Sequence, residues 1–199
     1  MLLINSSGKE WEVGCDEAGR GCLAGPVVAA AVILPLDFAH PLLNDSKQMT
    51  EKNRFLLRDY IMVHAVAYAT AFVSHEDIDR LNILRASILA MHKAIEALKI
   101  QPELIAVDGN RFTSYSTIPH QCFVKGDARF MHIAAASVLA KTARDEYMQA
   151  IHHEYPYYHW YENKGYPTMS HREAIRLFGY SPYHRLSFGR KDKQMLFDY

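Results

Sequence analysis

The stretch from Val13 to Leu34 decides the fold, and it reads VGCDEAGRGCLAGPVVAAAVIL. Its two ends are apolar and rich in β-branched residues, which predicts two strands that run through the interior. Between them stand two adjacent carboxylates, Asp16 and Glu17, followed by the glycine-bracketed Arg20. Because successive strand side chains point to opposite faces, both carboxylates can converge only where the strand ends. The glycines predict a sharp turn at that point.

The paired carboxylates predict a site for a hard divalent cation. Two close negative charges repel each other unless a cation lies between them, and carboxylate oxygens are the ligands that such ions prefer. A solvated acidic pair beside a hairpin turn is the alternative interpretation. The apolar strand next to the pair and the surrounding glycines favour the metal site.

Strands and helices alternate along the rest of the chain. Strands are predicted over residues 11–16, 27–34, 65–73, 104–107 and 121–124. Helices are predicted over residues 51–62, 131–153 and 170–178, and along an apolar stripe between residues 84 and 98. The first strands follow one another without a helix, so the fold class is α/β with a mixed β-sheet flanked by helices. We expect a single domain over residues 1–199, with a core over about 1–153 and a small C-terminal helical extension over about 154–199.

Two further carboxylates follow apolar strands. Asp108 stands between the run LIAV and Gly109, and Asp127 follows the apolar residues 121–124 in a Lys-Gly-Asp sequence. An aspartate that caps its own turn remains the alternative for Asp108. Four carboxylates at strand ends predict an oxygen-only site for Mg²⁺ or Mn²⁺, and no His/Cys ligand set indicates zinc.

An oxygen-only site of this kind suits phosphoryl chemistry. Two metal ions about 3.5–4 Å apart can activate a water and stabilise the leaving oxygen of an in-line displacement. This chemistry requires no covalent nucleophile. The sequence has no Gly-x-Ser-x-Gly elbow, His-Glu-x-x-His motif or Gly-x-x-x-x-Gly-Lys phosphate loop.

Composition sets limits on the class of protein. The sequence contains 22 basic and 22 acidic residues. From Arg111 onward there are 12 basic and eight acidic residues, so the part of the chain before Arg111 has the opposite, acidic excess. An acidic site opposite a basic surface fits a metal-dependent nuclease, although random scatter of charge is the alternative. The three cysteines show no metal or disulfide spacing, and neither a signal peptide nor a membrane span is predicted. We therefore expect a cytoplasmic protein.

Two late segments are candidates for substrate contacts. Aromatic residues crowd the segment 155–166. Such clusters usually seat a helical lid on the core, and stacking on a sugar or base is the alternative. The tail holds His184, Arg185, Ser187, Arg190 and Lys191, and these residues predict a segment that faces phosphate. Lys47 lies in a polar loop where it can meet a phosphate or simply precede a helix.

Several short motifs occur together, in order, along most of the chain. They are DEAGRG at residues 16–21, NDSK at 44–47, VDGN at 107–110, KGD at 125–127 and KGYPT at 164–168. With these motifs the sequence resembles ribonuclease HII, the type 2 ribonuclease H family. It departs from the family pattern at Cys22, where proline is usual, and at Asn163, where histidine is frequent.

The resemblance implies a ribonuclease H-like sheet and a set of site residues. The catalytic, metal-binding acids would be Asp16, Glu17, Asp108 and Asp127. The resemblance also places Gly19, Arg20 and Gly21 at the 2′-hydroxyl of a ribonucleotide. Tyr166 would pack on the deoxyribose beyond an RNA-to-DNA junction, and Lys47 is the expected phosphate contact.

The implied activity is endonucleolytic and depends on Mg²⁺ or Mn²⁺. The enzyme would cut the RNA strand of RNA/DNA hybrids and nick 5′ of single ribonucleotides in duplex DNA, leaving 3′-hydroxyl and 5′-phosphate ends. A catalytically silent nucleic-acid-binding protein and a two-metal nuclease that ignores the 2′-hydroxyl are the rival interpretations. We expect a monomer with no membrane partner. The residues 194–197 faintly resemble a sliding-clamp peptide, although a packed hydrophobic tail is the simpler interpretation.

Overall fold

A computed structural model of the chain describes residues 2–45 and 49–188. Its strands are β1 (Glu12–Ala18), β2 (Val27–Ile33), β3 (Ala67–Val73), β4 (Leu104–Asp108) and β5 (His120–Phe123). Its α-helices are α1 (Glu51–His64), α2 (His75–Leu81), α3 (Ile83–Glu96), α4 (Met131–His152), α5 (Trp160–Asn163) and α6 (Met169–Phe178). Short 3-10 turns lie at Pro41–Asp45, Gly126–Ala128 and Pro156–Tyr158. No helix among the described residues is long and apolar enough to cross a bilayer.

The five strands form one mixed sheet in the order β3-β2-β1-β4-β5. β1 pairs antiparallel with β2, which pairs antiparallel with β3, whereas β4 runs parallel to both β1 and β5. The predicted mixed α/β sheet is therefore confirmed. The central position of β1 places its C-terminal end between a hairpin and the ends of two parallel strands.

Both faces of the sheet are covered, which explains the nearly unbroken apolar sequence of β2. Val27, Ala29 and Ile33 pack with α2 and α3 on one face. Ala30 and Val32 pack with α1 and α4 on the other. Met91 in α3 is 3% exposed, as expected for a core residue in the apolar stripe.

Helix α4 lies unusually close to β1, and Gly14 is the reason. A Cβ atom built at Gly14 would lie 2.4 Å from the backbone carbon of His132 in α4. Only a residue without a side chain leaves room for this approach. The glycine therefore determines how closely the start of α4 packs on β1.

The C-terminal segment forms a separate small cluster against the far end of α4. Tyr158 and Trp160 are 1% and 0% exposed and pack with Met148 and Ile151 of α4. For these two aromatic residues the lid interpretation holds, since their rings are not available for stacking on a base. Tyr166, in the turn between α5 and α6, remains 39% exposed.

Candidate active site

The register of the parallel pair β1–β4 places two predicted acids side by side. Cys15 pairs with Val107, so the next residues along, Asp16 and Asp108, are neighbours on adjacent strands. Both strands point their C-terminal ends the same way, and β4 ends at Asp108. β1 continues two residues past its predicted end at Asp16 and carries Glu17 as well.

Asp16 is a buried carboxylate with only 7% of its surface exposed. Its Oδ1 accepts a hydrogen bond from the Glu17 amide at 2.7 Å, and its side chain is hydrogen-bonded to Ser137 of α4. Burial, followed by the charges of Glu17 and Asp108, raises the pKa of Asp16 well above its usual range. Because these effects outweigh both hydrogen bonds, ionised Asp16 is held at an electrostatic cost.

Glu17 is also held in an unfavourable charged environment. Burial raises its pKa and the Asp108 charge adds to this, although Arg20 opposes both from 2.8 Å. The Glu17 Oε1 atom accepts from Arg20, while Oε2 is buried and has no hydrogen-bond partner. A buried carboxylate oxygen without a partner is rare in folded proteins, and a bound cation would satisfy this one.

Asp108 and Asp127 are linked through the 3-10 turn Gly126–Ala128. The Gly126 amide donates to Asp108 Oδ1 at 2.6 Å, which fixes the start of that turn beside the end of β4. Asp127 follows directly and is half-buried. It lines the same cavity as Glu17, on the side that faces α4.

The four acids fit a hard divalent cation by their chemistry, although they do not yet form a complete ligand set. Within residues 2–45 and 49–188, no three Asp, Glu, His or Cys side chains converge closely enough to hold an ion. Glu17 is turned towards Arg20 instead. The donors are all oxygens, three carboxylates repel one another, and Glu17 Oε2 has no partner. Mg²⁺ or Mn²⁺ bound among these oxygens would offset the repulsion between the carboxylates and give Glu17 Oε2 a partner.

Two buried arginines hold the turn that follows Glu17. Arg144 of α4 is 0% exposed and donates to the carbonyls of Pro26, Lys164 and Ala24 at 2.8–3.1 Å. Its Nε would lie 2.0 Å from a Cβ atom at Gly19, a position whose φ of 95° also requires glycine. The arginine therefore lies directly against the Gly19–Gly21 turn.

The second arginine corrects the prediction for the tail at Arg185, whereas Arg190 and Lys191 of the same prediction lie outside the described residues. Arg185 does not face phosphate: it is 1% exposed and donates to Gly25, Arg20 and Pro26 at 2.9–3.1 Å. His184 is equally buried. The main-chain carbonyls of the turn need donors, and a guanidinium supplies five in a rigid fork. Nothing in the sequence marks Arg144, Arg185 or Ser137 for these roles, because arginines and serines are usually exposed.

Tyr166 lies beside this turn and borders the same cavity as Glu17. The Leu23 amide donates to the Gly165 carbonyl at 2.8 Å, and the Arg144 guanidinium lies 5.9 Å from the centre of the Tyr166 ring. Asn163 shapes the approach, because its side chain bridges the Tyr158 carbonyl and the Gly165 amide at 2.7 and 2.8 Å. Lys47 lies outside the described residues.

Two cavities flank the acidic cluster and share Glu17 and Arg20. The first has a volume of about 370 Å³ and lies between the turn, α4 and Tyr166. Its cationic lining residues are Arg20, Arg54 and Lys141. The second, of about 270 Å³, lies between Asp108 and α3, and the residues that follow Asp108 add Arg111. The acids thus stand in the middle of a cleft with cations on both sides.

Known proteins share both the sequence and the fold. The sequence pattern of the family described as Ribonuclease HII matches residues 13–191. Ribonuclease HII of Parabacteroides distasonis is 59% identical over 195 residues, which covers 98% of each chain.

Two solved structures share the fold at lower identity. Ribonuclease H2 of Pyrococcus horikoshii OT3 superposes with a TM-score of 0.76 at 23% identity, covering 94% of this chain and 99% of that one. Bst-RNase HIII in complex with Mn²⁺ gives 0.72 at 19% identity, with 93% and 69% covered. Because the family pattern spans most of the chain and a relative matches nearly its whole length at 59% identity, the chain belongs to the ribonuclease HII family.

Proposed function

We propose that this protein is a metal-dependent endoribonuclease. It cuts the RNA strand of RNA/DNA hybrids and nicks duplex DNA 5′ of a single embedded ribonucleotide, leaving 3′-hydroxyl and 5′-phosphate ends. The observation that carries the proposal is the gathering of Asp16, Glu17 and Asp108 at the centre of a cleft that also holds the Gly19–Gly21 turn.

The acids are the proposed catalytic and metal-binding residues. Mg²⁺ or Mn²⁺ held by Asp16, Glu17, Asp108 and Asp127 would activate the attacking water and stabilise the leaving oxygen. The protein orients two of these ligands in advance, because Ser137 and the Glu17 amide hold Asp16, and the Gly126 amide holds Asp108.

Glu17 Oε2 is the proposed metal ligand, while Oε1 pairs with Arg20 until a substrate phosphate draws the guanidinium away. The side chain of Arg20 is 50% exposed, so the ion pair is partly solvated and costs little to break. Once released, Arg20 is free to contact a phosphate of the substrate. Arg54 and Lys141 line the adjacent cavity and supply further positive charge along the nucleic-acid backbone.

The Gly19–Gly21 turn is the proposed reader of the 2′-hydroxyl. Only this hydroxyl separates RNA from DNA at a given nucleotide, and a bare backbone can approach it closely. A Cβ atom at Gly21 would meet no protein atom within 4 Å, so this position faces open space. Tyr166 is the proposed contact for the deoxyribose beyond the junction, with its ring half-exposed at the edge of the cleft.

We further propose that residues 1–199 act as a single catalytic domain and as a monomer in the cytoplasm. The core over about 1–153 would carry the acids, and the extension over about 154–199 would carry Tyr166. Lys47 remains a proposed phosphate contact and lies outside the described residues. Residues 194–197 lie outside them as well, and a packed hydrophobic tail remains a simpler interpretation of this segment than a contact with a sliding clamp.

A cleavage assay tests the proposal. The protein is incubated with a duplex that contains one ribonucleotide, with Mg²⁺ or Mn²⁺ and then with a chelator. We expect one nick 5′ of the ribonucleotide, lost with the chelator and absent from an all-DNA duplex. Asp108→Asn should reduce turnover by at least about 10³-fold, since it removes a ligand charge but keeps the oxygen that accepts from Gly126.

Asp59→Asn is the matched control, because the Asp59 side chain is 63% exposed and pairs with Arg58 on the surface. It should cleave as the wild type does. Binding without cleavage would favour the catalytically silent rival. Cleavage of an all-deoxy branched substrate would favour a nuclease that ignores the 2′-hydroxyl.

A further inference from the structure

A chain of buried hydrogen bonds ends at the main chain of Tyr166. His171 of α6 is completely buried, and its Nδ1 atom lies 2.9 Å from the Tyr166 carbonyl oxygen. At the other ring nitrogen, His171 Nε2 lies 3.1 Å from Nε1 of Trp160 and 3.1 Å from Nε2 of His184. His184 Nδ1 in turn accepts from the Ser181 amide at 2.9 Å. Because His171 is completely buried, it can influence a substrate only through the residue that it holds.

The groups at the ends of this chain fix which nitrogen of each histidine carries the proton. A carbonyl oxygen only accepts, so His171 Nδ1 must donate to Tyr166. The Trp160 indole only donates, so His171 Nε2 must accept. The Ser181 amide also only donates, so His184 carries its proton on Nε2 and donates it to His171. Both rings are neutral in this arrangement, and burial lowers the pKa of each, that of His184 to about 3.

The main chain of Tyr166 is held on both sides. Its amide donates to the Asn163 carbonyl at 2.8 Å, and its carbonyl also accepts from the Thr168 amide at 2.8 Å. The Thr168 hydroxyl caps α6 by accepting from the His171 amide at 3.2 Å. His171 therefore joins the turn that carries Tyr166 to the first turn of α6. Since the Tyr166 ring is half-exposed at the edge of the cleft, the direction in which it points depends on this backbone.

We propose that His171 is a positioning residue that fixes the Tyr166 carbonyl and thereby directs the Tyr166 ring at the deoxyribose beyond the ribonucleotide junction. The inference rests on the proposed role of Tyr166 and extends it to a residue behind the cleft surface. His184 and Trp160 contribute by keeping the His171 proton on Nδ1. A histidine that only filled space would affect all substrates equally, whereas one that positions Tyr166 affects recognition of the junction.

Two variants of similar shape test the proposal through cleavage kinetics. Asparagine keeps an N–H donor close to the position of His171 Nδ1, whereas leucine has no donor, and both lack the nitrogen that accepts from Trp160 and His184. We expect His171→Leu to lower kcat/KM about 3–10-fold on a duplex with one ribonucleotide, as for loss of one hydrogen bond. On a continuous RNA/DNA hybrid the loss should stay below about twofold, because no deoxyribose follows the cut there. His171→Asn should recover most of the loss.

A double-mutant cycle separates positioning from packing. Tyr166→Ala removes the ring, so adding His171→Leu to it should cause no further loss on the junction substrate. If His171→Leu lowers activity equally in both backgrounds, or equally on both substrates, His171 acts through packing and the proposal is overturned. Urea unfolding of each variant shows that the compared proteins are folded.

Nitrogen-15 NMR of the histidine rings tests the arrangement in the wild type, without any substitution. Near neutral pH we expect His171 to be protonated on Nδ1 alone and His184 on Nε2 alone. A His171 ring protonated only on Nε2 could not donate to the Tyr166 carbonyl and would overturn the proposal, even if the variants failed to fold.

His92→Leu is the matched control, because His92 Nε2 also lies 2.9 Å from a main-chain carbonyl, that of Thr113, and belongs to α3 rather than to the C-terminal extension. It should leave the ratio of the two activities unchanged, and a shift equal to that of His171→Leu would overturn the proposal. Tyr166→Ala distinguishes the two levels of inference. If it leaves the junction preference intact, the role of Tyr166 and the inference on His171 both fail. If it abolishes the preference while His171→Leu does not change it, only the inference on His171 fails.

Discussion

Replacement of Arg185 by methionine should destabilise the protein and disturb the turn beside the acids. The guanidinium donates three hydrogen bonds, to the carbonyls of Arg20, Gly25 and Pro26. Methionine fills similar space but donates none of them. Arg144 also donates to the Pro26 carbonyl, so two carbonyls lose this donor: that of Gly25 in a buried environment and that of Arg20 in a partly buried one.

The magnitude follows from two opposing effects. Each buried carbonyl left without a donor costs about 1–3 kcal/mol. Burial lowers the pKa of Arg185 to about 10, so the native protein already holds this cation at a cost that methionine removes. We therefore expect a net loss of about 2–4 kcal/mol in the free energy of unfolding, a large share of the stability of a typical domain.

Urea unfolding followed by circular dichroism measures this loss. The free energy of unfolding of Arg185→Lys should lie between those of the wild type and Arg185→Met, because an ammonium cannot donate to three carbonyls in the geometry of a guanidinium. Arg176→Met is the control: Arg176 is 64% exposed and pairs with Glu173, so its loss should leave the unfolding midpoint close to that of the wild type. Equal unfolding midpoints for Arg185→Met and the wild type would refute the role assigned to the buried arginine.

Three further predictions concern β1 and the turn. Gly14→Ala should lower the free energy of unfolding by about 1–3 kcal/mol, because the new Cβ would lie 2.4 Å from the His132 backbone and push α4 away. Urea unfolding measures this loss, and an unchanged midpoint would contradict the close approach of α4 to β1. Burial raises the pKa of Glu12, but hydrogen bonds from His132 and two serines prevail and lower it to about 2. Because folding depresses this pKa, Glu12 contributes stability above about pH 4.5 that is lost as the pH falls towards 2. Between these pH values, the free energy of unfolding of Glu12→Gln should fall by about 2 kcal/mol less than that of the wild type. Identical acid profiles for the two proteins would contradict this role of Glu12. Gly21→Ala should unfold as the wild type does but cleave a ribonucleotide-containing duplex at least about tenfold more slowly, and full activity would show that this turn does not approach the substrate.

The sequence allowed much of the fold to be predicted because periodicity reports burial directly. The apolar run of β2 indicated a strand covered on both faces, and the stripe through Met91 indicated a core-facing helix. The break between α2 and α3 was less visible. It depends on Asn82, whose φ of 73° and side-chain bonds to two amides end one helix and begin the next.

Parts of the site depend on contacts between distant residues, which local patterns do not report. The placement of Asp108 beside Asp16 could be foreseen, since strand ends followed by glycine gather at one edge of a parallel pair. The buried state of Arg185 could not, because it depends on main-chain carbonyls about 160 positions earlier. The sequence therefore predicts that Arg185 faces phosphate, whereas its guanidinium supports the turn from inside the protein.

We propose that Asp16, Glu17 and Asp108 repel one another until a divalent cation binds between them. The most direct test is the free energy of unfolding measured with chelator and with saturating Mn²⁺, for the wild type and for Asp108→Asn. A ligand at about 100 times its Kd stabilises by about 2.7 kcal/mol, which is the gain expected for the wild type. Asp108→Asn should gain under about 0.5 kcal/mol from Mn²⁺, and with chelator it should be at least as stable as the wild type, because one repelling charge is gone. Equal stabilisation of both proteins by Mn²⁺ would contradict the account.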